Sequence, residues 1–360
     1  MPAALSVELL LAPADAVRRR ALRALGPYAG AWASSREARV CALGVTIVLT
    51  SLLGAMLIPL WMLALGPIVL GVPHILGDIR YLWVRPGHHR RALCWIAAGA
   101  PLLVGAITAK VAWGFAAAAG ALLVARAAPR RRCAGLAVVT ALAALSIHYT
   151  GWAELAFAHL HNVIGVALWW AWRPRRGRLH WIPLALFVAA TIALLAGAAG
   201  PLLRWTGGLR GPVAGDPIGQ HVAALAPFAS PSFGVRLVLL YAFAQAVHYG
   251  VWLRLIPEED RPRSAPRTFA GTYRALRADF GVLSLLVAVV GAAALAAWAI
   301  ADLAAARNGY LRFATFHGQL ELAAGALLWA ERRIGGGDRR GAARPAACPG
   351  AGGEISSGMP

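Results

Sequence analysis

The sequence predicts an all-α fold: a polytopic integral membrane helical bundle of about ten transmembrane helices, with both termini on the cytoplasmic side. Three observations carry this. The 360-residue chain is 59% hydrophobic and only 14% charged, with a mean hydropathy of +0.62. Apolar runs of roughly 20 residues, the length that crosses a bilayer, recur along it. Between the runs, Arg residues gather in alternate connections, as cytoplasmic segments of membrane proteins do.

Residues 1–38 read as a cytoplasmic or interfacial amphipathic segment. Its Arg18, Arg19 and Arg20 follow an apolar stretch instead of preceding it, so no secretory signal is expected. The transmembrane domain is predicted over 39–332, with helices near 40–58, 60–84, 92–108, 111–126, 133–150, 153–172, 179–201, 233–254, 279–302 and 311–331. Pro59 and Pro67 interrupt the first long apolar stretch, which implies either a tight outer turn or a kinked, partly re-entrant second helix. Residues 202–232 form the one long outer connection. Its GGLRGPVAGD lacks the GK[ST] of a phosphate loop. The Gly-, Ala-, Arg- and Pro-rich tail, 333–360, is predicted to be disordered and cytoplasmic.

With the N-terminus inside, the cytoplasmic segments hold Arg18 to Arg23, Arg36, Arg39, Arg85, Arg90, Arg91, Arg126, Arg130 to Arg132, Arg173 to Arg178, Arg254 to Arg277 and the Arg residues after 331. The opposite connections receive Lys110, Arg204, Arg210, Arg307 and Arg312. A net charge of +20 is therefore explained by topology, and no nucleic-acid-binding signature accompanies it. Cys41, Cys94, Cys133 and Cys348 are scattered singly, which indicates neither a zinc knuckle nor a disulfide framework. No internal repeat of the transporter kind is evident. The expected location is the inner (plasma) membrane, multi-pass, and nothing in the sequence sets an oligomeric state.

The stretch Ala153 to Arg178 poses the functional question. It opens on Glu154, runs apolar except for His159, His161 and Asn162, and stops at Trp169, Trp170 and Trp172 before its Arg cluster. Imidazoles inside a spanning helix are costly and by default imply function. Five histidines fall inside predicted helices: His74, His159, His161, His248 and His317. His148 lies at the outer end of the fifth helix. His88, His89, His180 and His221 fall in loops or at interfaces and read as solvated residues.

Two pairs share a spacing. His74 and Asp78 are four residues apart, and so are His317 and Glu321, which puts each pair on one helical face. A carboxylate one turn from a histidine can fix its tautomer in a metal site or serve as a ligand itself. His248 has Gln245 one turn before it. His161 shares a face with Glu154 two turns earlier, whereas His159 points about 200° away from His161 and either bonds a neighbouring helix or lines the same cavity. The candidate metal ligands are thus His74, His161, His248 and His317, with His159 and His148 as additional candidates. Asp78, Glu321 and Glu154 are the candidate catalytic carboxylates. Counted along the helices, His161 and His317 lie roughly 9–12 Å below the outer surface and His248 roughly 20 Å down, so a tilted or kinked helix is needed to bring them together. Four readings share these residues: a metal-centred enzyme, a proton-coupled transporter using the His–carboxylate pairs, a haem protein with paired axial histidines, and a scaffold. A retinal-binding opsin is excluded, because the only lysine, Lys110, sits at a predicted outer turn.

At GVPHILGDIRYL, through Pro73, His74 and Asp78, the sequence resembles the Brp/Blh family of membrane β-carotene-cleaving oxygenases. In that family a histidine follows the acid, where this chain has Ile79 and Arg80. The resemblance implies a non-haem Fe(2+) centre with His74 as a ligand; His161, His248 and His317, matched by helix position and not by motif, would supply the others. It also implies a lipophilic substrate drawn from the bilayer, with cleavage of a carotenoid to retinal-like aldehydes as the family's version of the reaction.

Overall fold

The computed structural model describes residues 2–174, 177–212, 217–261 and 265–333, and every regular element among them is helical. Beyond Arg333, the predicted disordered tail lies outside the described residues. The helices are α1 (Pro2–Ala24), α2 (Pro27–Ser34), α3 (Arg36–Leu57), α4 (Pro59–Val84), α5 (Ala92–Thr108), α6 (Val111–Leu123), α7 (Pro129–His148) and α8 (Thr150–Ala171). They continue with α9 (Trp181–Ala196), α10 (Gly200–Thr206), α11 (Pro217–Leu225), α12 (Pro231–Glu259), α13 (Phe269–Ala301) and α14 (Leu303–Ala330). All ten predicted apolar runs are helical. Five helices, α3, α4, α7, α12 and α13, are long and apolar enough to cross a membrane, and α9 with α10 forms a sixth candidate bent by 74°. The polar side chains of α8 and α14 lower their hydropathy, and these two helices turn out to carry site residues.

Helix boundaries follow local chemistry. Ser35 Oγ accepts from the Ala38 N–H at 3.2 Å to open α3, and Asp302 accepts from the Ala305 N–H at 2.9 Å to open α14. The break between α3 and α4 falls at Ile58, so Pro59 takes the first helical position, where its missing N–H costs nothing. Pro67 lies inside α4 and frees the carbonyl four residues back, on Leu63. Arg307 of α14 donates its Nε–H to that oxygen at 2.9 Å, so the defect becomes a contact between helices. Helix α13 starts at Phe269, ten residues before the predicted run, and bends at Gly281, whose φ of 78° is left-handed. The N-terminal segment packs against its early part, and the Asp15 carboxylate accepts from the Phe269 and Ala270 N–H groups at 2.8 and 3.2 Å.

Four helices, α4, α8, α12 and α14, form a ring: α4 and α8 each pack against both α12 and α14. Their contacts advance together along both partners. Leu63, Gly71 and His74 meet Arg307, Tyr310 and His317 in turn. His159, His161 and then Trp172, just past α8, meet Tyr241, His248 and Trp252. Gly318 and Gly325 lie against Phe157 and Leu168. The four helices therefore run in the same direction.

The ends that these helices share are closed by ion pairs. Arg39 grips Glu258 with two donors, at 3.0 and 2.8 Å, and Arg261 reaches the other Glu258 oxygen at 3.0 Å. Arg80 and Arg85 converge on Asp279 at 2.6 and 3.1 Å, Arg85 also pairs with Asp260, and Arg91 holds Glu331 at 2.7 Å. Two loop histidines differ from expectation. His180 is buried beside Trp170 and Glu37, and His88 is completely buried against Trp83. His88 packs on the buried Trp83 and His180 on Trp170 and Trp181, contacts that loop position does not reveal.

Two outcomes test this arrangement. Arg39→Ala breaks a buried pair and is expected to cost about 3 kcal/mol, read from unfolding in detergent. Burial lowers His88 to about 4 from 6.5, Glu331 opposing and Arg333 and Arg91 assisting. The unfolded chain then binds a proton that the folded chain refuses, so stability present above pH 6.5 falls as pH drops towards about 4. His88→Gln should flatten that part of the stability–pH curve.

Candidate metal centre

The ring of parallel helices brings four imidazoles to one level. Ring centroids lie 4.7 Å apart for His74 and His317, 5.6 Å for His74 and His248, 5.3 Å for His161 and His248, 5.5 Å for His161 and His317, and 5.7 Å for His248 and His317. Three of them are aimed by the same local device. His74 Nδ1 faces the Leu70 carbonyl at 3.1 Å, His161 Nδ1 those of Phe157 and Ala158 at 3.2 and 3.0 Å, and His317 Nδ1 that of Ala314. A carbonyl only accepts, so each Nδ1 carries the proton and each Nε2 presents a lone pair. His248 turns its Nδ1 towards the α8 backbone, 2.8 Å from where a Cβ on Gly165 would stand. Glycine at 165 is what lets that ring lie so close.

The Nε2 atoms of His74 and His317 are 3.3 Å apart. Two nitrogens each about 2.1 Å from a shared ion, at a tetrahedral angle, are about 3.4 Å apart. One ligand atom from each of His74, Asp78, His248 and His317 lies within 4.8 Å of all the others. His161 stands at the edge of this group, on the side of the cavity.

One turn further along, the carboxyl groups form a second layer. Asp78 and Glu321 have no solvent exposure, and both Asp78 oxygens lack a hydrogen-bond partner. Trp252 donates its indole N–H to Glu321 Oε1 at 2.6 Å, which lies 3.7 Å from His248 Nε2; Glu321 Oε2 is unpartnered. At this level both α4 and α12 widen into π-helical turns, Ile79–Val84 and Val251–Leu255. Such bulges insert a residue into a turn and frequently mark functional sites. The depth mismatch is reduced by where the helices begin: α14 starts at Leu303, eight residues before the predicted run, which sets His317 deeper along its helix.

A cavity of about 260 Å³ lies on the other side of the imidazoles, lined by His74, His161 and His317 together with Phe157, Tyr249 and Tyr310. Tyr310 packs its ring directly over Gly71, one turn before His74 on α4. The lining continues to Glu154 and the Ala109–Val111 turn, where Glu154 accepts from Lys110 Nζ at 2.9 Å. The cavity and the Arg-rich rim thus lie on opposite sides of the centre.

The structure brings together His74, His161, His248, His317, Asp78 and Glu321. It separates the remaining candidates. Glu154 lines the cavity at its far end but is spent on Lys110, too far along α8 to reach the imidazoles. His159 points off the site, donating its Nε2–H to the Leu225 carbonyl at 2.9 Å and packing on Tyr241. His148 is exposed at the end of α7, against Tyr149. Trp252, which is not among the residues singled out from the sequence, also belongs to the site. The signal was its place four residues after His248, on the same helical face.

A substitution checks the packing. Gly165→Ala places a methyl against the His248 ring and is expected to destabilise the protein by about 1–3 kcal/mol, whereas Gly151→Ala, on the same helix with open space around it, should not. Thermal unfolding in detergent reads both.

No family model, curated protein or solved structure matches this chain, so the reading of the site rests on its own geometry.

Proposed function

We propose that the chain is an intramembrane metal-dependent oxygenase acting on a lipophilic substrate, with a histidine-ligated ferrous ion as its cofactor. The single observation that carries this is the set of four buried side chains, His74, Asp78, His248 and His317, whose ligand atoms lie within 4.8 Å of one another. They come from three helices, and their lone pairs and unpartnered carboxylate oxygens are unmet by any protein donor. Mixed imidazole and carboxylate donors with positions left open are the ligand type of non-haem iron oxygenases. The resemblance at Pro73, His74 and Asp78 points the same way, towards the Brp/Blh type and carotenoid cleavage.

Ferrous iron would supply the one-electron chemistry toward dioxygen that no side chain here can provide. The protein's own contribution is geometric. Leu70, Ala314 and the Phe157–Ala158 carbonyls hold three imidazoles in one tautomer. Trp252 fixes Glu321, and the ion-paired rim keeps water from reaching the centre from that end. Phe157, Leu311 and Ala314 give the cavity an apolar wall for a lipophilic ligand.

The haem alternative fits poorly. Axial nitrogens on opposite faces of a porphyrin iron stand about 4 Å apart with the macrocycle between them. At 3.3 Å, His74 and His317 leave no room for it.

We further propose ten crossings with both termini on the cytoplasmic side of the inner membrane. The parallel course of α4, α8, α12 and α14 supports this, because parallel spans need an odd number of crossings between them. Three apolar helices, α5 to α7, separate α4 from α8. The bent α9–α10 pair separates α8 from α12, and α13 separates α12 from α14.

Metal analysis of the purified protein is the test. About one iron per chain is expected, falling below a tenth of that in His74→Ala and His317→Ala. Metal-free wild-type protein that carries protons in a pH-dependent flux assay would replace this reading with transport. In a host that accumulates β-carotene, bleaching that depends on His74 would support carotenoid cleavage.

A further inference from the structure

The proposed ligand set leaves Glu321 unassigned. It is as buried as Asp78, yet no Arg or Lys reaches either carboxylate. Glu321 has one oxygen on the Trp252 indole and the other free, and its nearest ionisable partner is His248, 3.7 Å away. Asp78 lies close enough for the two carboxylates to act on each other's charge. Elsewhere in the chain, buried acids are answered by Arg: Glu258 by Arg39 and Arg261, Glu331 by Arg91. Asp15, also buried, is met by the Phe269 and Ala270 N–H groups; among the described residues the centre is where two buried carboxylates stand together with no Arg or Lys bonded to them.

We propose that Glu321 is the second counter-charge of the metal centre, and that it makes the site selective for a divalent cation. This rests on the reading that His74, His248, His317 and Asp78 hold a metal. Histidines that ligate through a lone pair are neutral. Asp78 and Glu321 therefore bring the buried charge to −2, and one divalent ion cancels it. A monovalent or trivalent ion leaves a net charge in an apolar interior, where unbalanced charge is expensive. The Trp252 hydrogen bond holds Glu321 against His248, just outside the four-residue ligand group. Glu321 acts through charge, as a positioning residue, and leaves ligand positions open.

The same charge sets the direction of a redox effect. Removing one negative charge from beside an iron ion favours the less positive oxidation state, so the ferric/ferrous potential rises. A residue that only packs would not move it in a charge-dependent way.

The experiment compares wild type, Glu321→Gln and Glu321→Asp in detergent, using Zn(II) alone for affinity and iron for the potential. Gln keeps the size of the side chain and an acceptor for Trp252, so the fold should survive; thermal unfolding checks this. Glu321→Gln is expected to bind Zn(II) about 10–100-fold more weakly and to have a raised iron potential. Glu321→Asp, which keeps the charge, should recover most of both. Zn(II) affinity in Glu321→Gln within threefold of wild type, or an iron potential that is unchanged or lower, would overturn the proposal. Equal losses in Gln and Asp would overturn it too, by making the role one of shape. If wild type itself takes up neither Zn(II) nor iron, the metal reading fails first, which is a separate result.

Discussion

Two carboxylates without solvent exposure, set among four imidazoles in the middle of an apolar helical bundle, are the constraint on which the rest of this structure depends. Neither the lipid nor the neighbouring Ala, Leu and Val side chains can solvate such groups, and stranding them would cost several kcal/mol each. Everything near them reads as an answer to that cost. The Nδ1 protons of His74, His161 and His317 are given to carbonyls of their own helices, so the lone pairs must point inward. Trp252 takes one Glu321 oxygen. What remains unmet between His74 and His317 and around Asp78 and Glu321 is mostly acceptors, two imidazole lone pairs and three carboxylate oxygens, which is the electrostatic outline of a cation.

The helices that carry this set are constrained in turn. Four helices running the same way cannot follow one another directly, so α5 to α7, α9 to α11, and α13 lie between them in the chain and bring it back. Of these intervening helices α7 and α13 are the most exposed; the apolar window of α13 has no buried residue at all. Polar and charged groups follow the same division. The ring holds the imidazoles, its far end holds the Arg–carboxylate pairs that join α3, α4, α12 and α13, and its near end holds the cavity. The cavity thus extends towards Glu154 and Lys110, and the opposite end is closed by ion pairs.

Individual defects become contacts in this arrangement. Pro67 would leave a carbonyl unpaired in a membrane helix, and Arg307 takes it. Gly71 leaves a gap that the Tyr310 ring fills, and Gly165 leaves one that the His248 ring fills. All three tie a site helix to a neighbour, and the two at glycines do so beside a site histidine, so the geometry of the centre is fixed by packing as much as by polar bonds.

The sequence by itself determined that the chain is helical and apolar, where the apolar runs lie, and which histidines and acids fall inside helices, while α13 and α14 begin eight to ten residues earlier than predicted and α11 forms within the expected outer connection. Apolar length, Pro positions and Arg placement are local properties, and they leave their mark on the chain in order. The i, i+4 pairs His74–Asp78 and His317–Glu321 were legible for the same reason, since helical periodicity alone puts them on one face. Only the tertiary structure decided that His161 and not His159 faces the others, that Glu154 belongs to Lys110, that His148 is outside, and that His88 and His180 are buried. It also decided that Trp252 belongs to the centre. These outcomes depend on how helices are rotated about their axes and on where π turns shift their register. Both are set by contacts between residues as many as 243 positions apart, as His74 and His317 are, and no local pattern encodes them.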